Sequence, residues 1–188
     1  MRHRSSREPL TLDVPTPLLH LLYLRALWGL DVAPDVPAAV GQPAALPGTP
    51  RPREALAPEW DARWADALAS LGGGPRPEPW WVARPDDVPD PDAVSAWASG
   101  HAERVARAEV EAVAHREAAP ETLAGDAGAG LRTVLVLPLA TGYLRRLTPA
   151  TVLVAEPTRA DPCAYAAALA RAPRGPDHLP GRHHDAGG

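Results

Sequence analysis

Six consecutive residues near the end of the chain combine side chains that commonly bind ligands. Glu156, Thr158, Arg159 and Asp161 supply a carboxylate, a hydroxyl, a guanidinium and a second carboxylate. They follow a Val-rich segment typical of a strand and precede a helix that begins at Pro162. Loops from strand to helix commonly carry ligand groups, and Arg159 with the free N–H groups of that helix could bind an anion. The stretch therefore predicts a small catalytic or anion-binding site.

The same side chains also have structural explanations. Asp161 is a good N-cap for the following helix, and in that role it would occupy the place of a bound anion. Glu156 and Arg159 could simply form an ion pair within the loop. One feature separates the two interpretations. A functional site requires the Arg159 guanidinium and the Glu156 carboxylate to open onto a common cleft, whereas a structural role does not.

Arginines and a glutamate elsewhere could assist this site. Arg145 and Arg146 lie in a segment that could be a strand, where adjacent side chains point to opposite faces. The inward guanidinium would need a partner such as Glu156 or Glu109, since an unpaired buried charge is costly. Glu109 lies on the apolar side of a predicted helix, where it could act as an acid or base or could mark the point at which that side meets solvent or an arginine.

The histidines match no metal-binding or catalytic pattern. His101 and His115 are too far apart along a predicted helix to share an ion, and His20 is interpreted as a helix-face histidine bonded to a carbonyl. Three further histidines near the C-terminus do not have structural zinc spacing; they are His178, His183 and His184. HExxH and Gly-rich phosphate motifs are absent. We expect no metal site and no cofactor.

Trp80 and Trp81 form the second candidate site. They lie among prolines, and with Val82 they predict a short edge strand in which one indole faces inward and the other outward. The outward indole could dock a partner protein. The alternative is that it packs the proline-rich loop onto the body of the domain.

The elements that must position these residues follow from hydrophobic patterning. The segment 16–28 predicts a helix that is apolar on nearly every side, and 58–71 and 92–118 predict amphipathic helices. Apolar runs at 133–137 and 151–155 predict strands covered on both faces, with a third strand between them. An antiparallel meander is favoured, because 140–150 barely supplies the dozen residues that a parallel crossover needs.

The predicted fold is therefore α+β, with a three- to four-stranded, mainly antiparallel sheet, three to four helices and long Pro-rich loops. We assign 1–9 to a flexible arm and 10–172 to a single domain with a Pro-rich surface loop at 30–56. The segment 173–188 is assigned to a disordered tail. The 188-residue length fits one domain, and the 24 prolines fit its long connections.

Composition limits the class of function. The basic residues are all arginine and phenylalanine is absent, which is typical of a GC-rich, bacterial gene. A net charge of −4 argues against general nucleic-acid binding. The apolar stretch near the N-terminus is shorter than the roughly 20 residues that span a bilayer. A single cysteine, Cys163, fits a reducing compartment, so we predict a cytoplasmic protein without a membrane partner.

Two functions follow as hypotheses. The first is a non-catalytic interaction module that contacts another protein through the Trp80/Trp81 region and the proline segments. The alternative is a small enzyme or anion-binding domain with its site at Glu156 to Asp161. Nucleic-acid binding would require a continuous surface stripe of arginines; the residues concerned are Arg25, Arg132, Arg145, Arg146 and Arg159.

Overall fold

The computed structural model describes residues 10–88, 90–114 and 120–172, which contain seven α-helices and a four-stranded sheet. The strands are β1 (Thr11–Asp13), β2 (Thr133–Leu137), β3 (Leu144–Thr148) and β4 (Thr151–Ala155). The helices are α1 (Thr16–Trp28), α2 (Arg53–Leu71), α3 (Trp80–Ala83), α4 (Pro91–Ala114), α5 (Pro120–Leu123), α6 (Glu156–Ala160) and α7 (Pro162–Arg171). The α+β prediction is confirmed. The predicted arm at 1–9 and tail at 173–188 lie outside the described residues.

The sheet is mixed, so the prediction of a mainly antiparallel sheet was wrong. Its order is β1-β2-β4-β3; β1, β2 and β4 are parallel, and β3 is antiparallel to β4. The chain leaves β2, passes beyond the position of β4 to form the edge strand β3, and turns back into β4. Because β3 itself provides the crossover, β2 and β4 can be parallel without an intervening helix. The three-residue strand β1 was not predicted.

Helices cover both faces of β2 and β4, which explains their continuous apolar sequence. One face packs in a core with α1, α2 and the first half of α4; it consists of Leu135, Leu137, Leu153 and Ala155. The opposite face packs against Tyr165 and Leu169 of α7 and against Val105; it consists of Val134, Val136, Val152 and Val154. The sheet therefore separates two hydrophobic cores.

Helix α1 is buried along most of its length, as its all-round apolar surface predicts. Gly29 ends it in the left-handed conformation, with φ 60°. On α2, Trp60 and Trp64 stack with their ring centroids 5.1 Å apart, and the Trp60 indole donates to the Leu21 carbonyl. Arg25 donates to the Val36 carbonyl at 2.9 Å and attaches part of the following Pro-rich segment to α1.

Trp80 and Trp81 lie in the short helix α3, so the predicted edge strand was wrong. The N–H groups of Ala83 and Arg84 close the helical turn by donating to the carbonyls of Pro79 and Trp80. No strand of the described sheet lies beside this segment to pair with it. Without a neighbouring strand, the backbone satisfies its hydrogen bonds locally.

Candidate functional site

A cleft of about 750 Å³ lies between the second half of α4 and the elements α5 and α6. Its walls are mostly alanine, valine, proline and leucine, and four charged side chains also line it: Arg104, Glu109, Glu156 and Arg159. We call it the Glu156 cleft. The Arg159 guanidinium and the Glu156 carboxylate therefore open onto a common cleft, as the functional interpretation requires.

The end of strand β4 places Glu156 at this cleft. Glu156 directly follows β4, whose last residue Ala155 is paired in parallel with Leu137 at the end of β2. Ligand sites of open sheets with parallel strands commonly lie beyond the carboxyl ends of those strands. The location of Glu156 is thus the one that such a sheet would give to a ligand-contacting group.

Glu156 forms a hydrogen bond with His101, which was not predicted from the sequence as a site residue. The Glu156 Oε1 atom lies 2.9 Å from Nδ1 of His101, whose side chain is fully buried. His101 Nε2 lies 3.2 Å from the Val136 carbonyl oxygen. Both ring nitrogens therefore face acceptors, and Nη2 of Arg104 also lies 3.5 Å from Nδ1. The His101 hydrogen bond lowers the pKa of Glu156 and outweighs burial, which acts in the opposite direction.

The end of β1 explains why His101 is needed there. The Arg132 carbonyl accepts from the Thr11 N–H, and alternation along β2 turns the Val136 carbonyl to the same side. Since β1 ends at Asp13, opposite Leu135, it does not reach Val136. Helix α4 passes this edge of the sheet, with Ala98 in one core and Val105 in the other, and His101 supplies the partner that the missing strand residue would have supplied.

Arg159 is enclosed by carboxylates. Its Nη1 atom lies 2.6 Å from Oε1 of Glu109, and its Nε atom lies 2.9 Å from Oε1 of the buried Glu121. Burial favours a lower pKa of Arg159, but Glu121 and Glu109 outweigh it and raise the pKa. An incoming anion would have to compete with two protein carboxylates for this guanidinium, so the geometry gives little support to anion binding.

Other predicted site residues lie outside the cleft lining. Thr158 is buried, and its hydroxyl accepts from the Tyr143 N–H at 3.0 Å. Asp161 caps α7, as predicted, because its Oδ1 atom accepts from the N–H groups of Cys163 and Ala164. The free N–H groups invoked for anion binding are therefore already bonded in part.

Arg145 and Arg146 also lie away from the cleft. Arg145 is exposed, whereas Arg146 is partly buried and donates to the carbonyls of Pro149 and Ala127. The suggested pairing of the inward arginine with Glu156 or Glu109 was wrong, because Arg146 donates to backbone carbonyls instead, and its buried Nε has no hydrogen-bond partner within the described residues. The required arginine stripe for nucleic acid is not formed either, since Arg25 and Arg159 are largely withdrawn from the surface.

The tryptophan pair does not divide into an inward and an outward indole, because both rings pack in or against the core on the α1 side. Trp80 is buried, and its indole donates to Oδ2 of Asp87 at 3.1 Å. Arg51 forms ion pairs with both Asp87 and Glu59 of α2, and so connects this segment to α2. Trp81 is partly buried and contacts the His20 ring edge-on, with the centroids 4.4 Å apart. A docking role for Trp81 stays a prediction.

His101 and Glu121 are the main site residues that sequence reasoning missed. His101 had a usable signal, because it lies at helical spacing between the buried Ala98 and Val105 and so shares their face. Glu121 had no comparable signal, since it lies in the short helix α5 with no extended periodicity.

Within the described ranges, no three His, Cys, Asp or Glu side chains are grouped so that they could hold a metal ion. No helix in the described part of the chain is both long and apolar enough to cross a membrane. Comparison with family models, curated proteins and solved structures gives no match.

Proposed function

We propose that the protein is a non-catalytic interaction module and that the Glu156 cleft binds an apolar segment of another protein. The observation that supports this most directly is the exposure of large apolar side chains at the cleft. Val113 is 75% exposed and Leu123 is 54% exposed, and both line it. Val110, one helical turn before Val113, is 69% exposed. Clustered exposed apolar side chains are typical of a surface that is covered by a partner.

The chemistry of the cleft favours binding over catalysis. Its described lining contains no serine, threonine, cysteine or tyrosine that could act as a nucleophile. Glu156 is held anionic by His101, and a carboxylate with a lowered pKa is a weak general base at neutral pH. Arg159 is neutralised by Glu109 and Glu121. The charged side chains of the cleft are therefore better suited to holding one another in place than to reacting with a substrate.

The charge at the cleft narrows the choice of partner. The side chains of Glu156 and Glu109 are 35% and 37% exposed. Among the described residues, each uses Oε1 for its ion pair, and no bond to its Oε2 is formed. Arg104 also lines the cleft and its charge already acts on Glu156, so Glu109 is the carboxylate that a basic side chain between apolar ones would match. The partner segment is therefore apolar with a lysine or arginine.

Selection from a random peptide library tests this proposal. We expect the selected peptides to combine apolar and basic residues, and we expect Val113→Glu to weaken their binding by about tenfold or more because it places a charge on the apolar wall. Val40→Glu is the matched control, since Val40 is 49% exposed and lies outside the cleft. Failure to select any peptide, or equal weakening by both substitutions, would contradict the proposal.

A small enzyme or anion-binding domain is the second candidate. It is favoured by one observation, which is that Glu156 and Arg159 share a cleft. It is weakened by the two carboxylates on Arg159 and by the placement of Thr158 away from the lining. The interaction module is therefore the better-supported function.

A further inference from the structure

One side of the Glu156 cleft is a continuous face of α4. The α4 residues that line the cleft recur at helical spacing; apart from Arg104, they are Val105, Ala108, Glu109, Ala112 and Val113. At 1.5 Å per residue, this face is about 12 Å long, or two helical turns. The opposite side is formed by α5, α6 and the first residue of α7. The cleft is therefore a groove between helices, and the exposure of Val113 on one wall and Leu123 on the other leaves it open to solvent.

Within the described sheet, no strand presents a free edge to this groove. The two strands that end there lie inside the sheet, because β2 pairs with β1 and β4, and β4 pairs with β2 and β3. The Val136 carbonyl, which β1 does not reach, is bonded by His101. An extended peptide would therefore have no strand to pair with, and its N–H and C=O groups would lose water against apolar walls without gaining partners. An α-helix bonds these groups internally and avoids that loss.

We propose, on the basis of the function proposed above, that the partner segment in the Glu156 cleft is an amphipathic α-helix that lies along α4. Helices bind grooves through apolar side chains repeated every three or four residues. Ala108 and Ala112 are small and one turn apart, so the bound helix can approach α4 closely. Glu109 and Val113 are also one turn apart, so the basic residue and an apolar residue of the bound helix should be separated by three or four positions.

Selection from two peptide libraries of identical composition tests this proposal. One library repeats apolar residues every three or four positions, and the other repeats them at every second position, as in a strand; both include lysine. We expect the best peptides with the helical pattern to bind at least about tenfold more tightly than the best with the alternating pattern. Equal binding, or binders with the alternating pattern alone, would overturn the helix and leave the proposed function standing. Absence of binders from both libraries would contradict the proposed function as well.

A proline substitution in a selected peptide reports on its bound conformation. Proline at a central position that faces solvent should weaken binding by about a hundredfold, because it removes a helical hydrogen bond and clashes with the preceding turn. Alanine at the same position is the matched control and should change binding by less than about threefold. If proline and alanine had equal effects, the bound peptide would not be a helix.

Protein variants assign the bound helix to this groove. Ala108→Tyr, which places a ring on the groove wall, should weaken binding about tenfold or more, whereas Ala114→Tyr lies outside the lining and should not. Both alanines are exposed, so both variants should fold. Equal weakening by the two substitutions would overturn the assignment. So would a dimer of the protein alone that Ala108→Tyr converts to a monomer, because a second copy would then occupy the groove.

The basic residue of the peptide is assigned by a double substitution. Glu109→Gln should weaken a lysine-containing peptide by about two- to fivefold and should leave its lysine-to-methionine analogue nearly unaffected. Equal loss for both peptides would contradict the pairing of this lysine with Glu109.

Discussion

The His101–Glu156 pair shows how one buried side chain can serve two elements. His101 bonds to the Val136 carbonyl beyond the end of β1, and through its other nitrogen it fixes the carboxylate that follows β4. A buried carbonyl without a partner would cost about 1 to 3 kcal/mol. The contact with β2 is thus a structural requirement, and the orientation of Glu156 in the cleft is its consequence.

This pair makes stability depend on pH. The folded-state pKa of Glu156 lies below its usual value of 4.5, so the unfolded chain binds more protons at acidic pH. The stabilisation is present above pH 4.5 and is lost as the pH falls through the folded-state pKa. We therefore expect Glu156→Gln to reduce the free energy of unfolding at pH 7 and to lose its effect progressively under acidic conditions. Urea denaturation at several pH values measures the difference, and a difference independent of pH would contradict the assignment.

At the scale of elements, Arg159 connects three helices. It lies on α6 and bonds Glu109 of α4 and the buried Glu121 of α5. This cluster closes one side of the Glu156 cleft. Glu121 is more buried than Glu109. Its carboxylate therefore depends more strongly on Arg159 as a counter-charge than the Glu109 carboxylate does.

Replacing Arg159 should therefore destabilise the fold much more than replacing Glu109. We expect Arg159→Met to lower the free energy of unfolding by about 3 to 5 kcal/mol, because it leaves Glu121 buried without its cation. Glu109→Gln should cost about 1 kcal/mol or less, because the Glu109 side chain is 37% exposed. Chemical denaturation of both variants checks this order. Equal losses in the free energy of unfolding would show that the buried contact with Glu121 stabilises the fold no more than the exposed contact with Glu109.

The sequence predicted individual elements better than their arrangement. Helix α1 and strands β2 and β4 have the predicted bounds, because each has a strong apolar pattern and a clear local ending. Helix α2 begins at Arg53 and not at Pro58, since this proline is accommodated inside the helix. Trp80 to Val82 could not be assigned correctly from local pattern, because the absence of a neighbouring strand is a property of the whole fold.

The sequence predicted only part of the candidate site, because local patterns do not show which distant residues come together. Glu156 and Arg159 were recognisable because they are close in sequence to β4 and to a capped helix. Their partners are distant: His101 lies on α4 and Glu121 on α5. Pairing across such separations depends on where α4 packs relative to the sheet, and no local pattern encodes that placement.

At the scale of the whole molecule, β2 and β4 connect two cores that differ in their fluorescent residues. Trp28, Trp60, Trp64 and Trp80 all belong to the core on the α1 side. The opposite core contains Tyr165 and Leu169. Both cores use alternate residues of the same two strands, so neither can lose its packing without disturbing the surface that supports the other.

This arrangement predicts that the described domain unfolds as one cooperative unit. Leu169→Ala should lower the free energy of unfolding by about 2 to 5 kcal/mol, because Leu169 is 2% exposed and its truncation leaves a cavity. Leu169 lies in the core without tryptophan, yet the denaturation midpoint followed by tryptophan fluorescence should shift as far as the midpoint followed by far-ultraviolet circular dichroism. Val40→Ala is the control, since Val40 is 49% exposed and its truncation should leave both midpoints nearly unchanged. If Leu169→Ala shifted the dichroism alone, the two cores would be separate folding units, and the shared strands would not couple the side of the sheet next to α7 to the side next to α1.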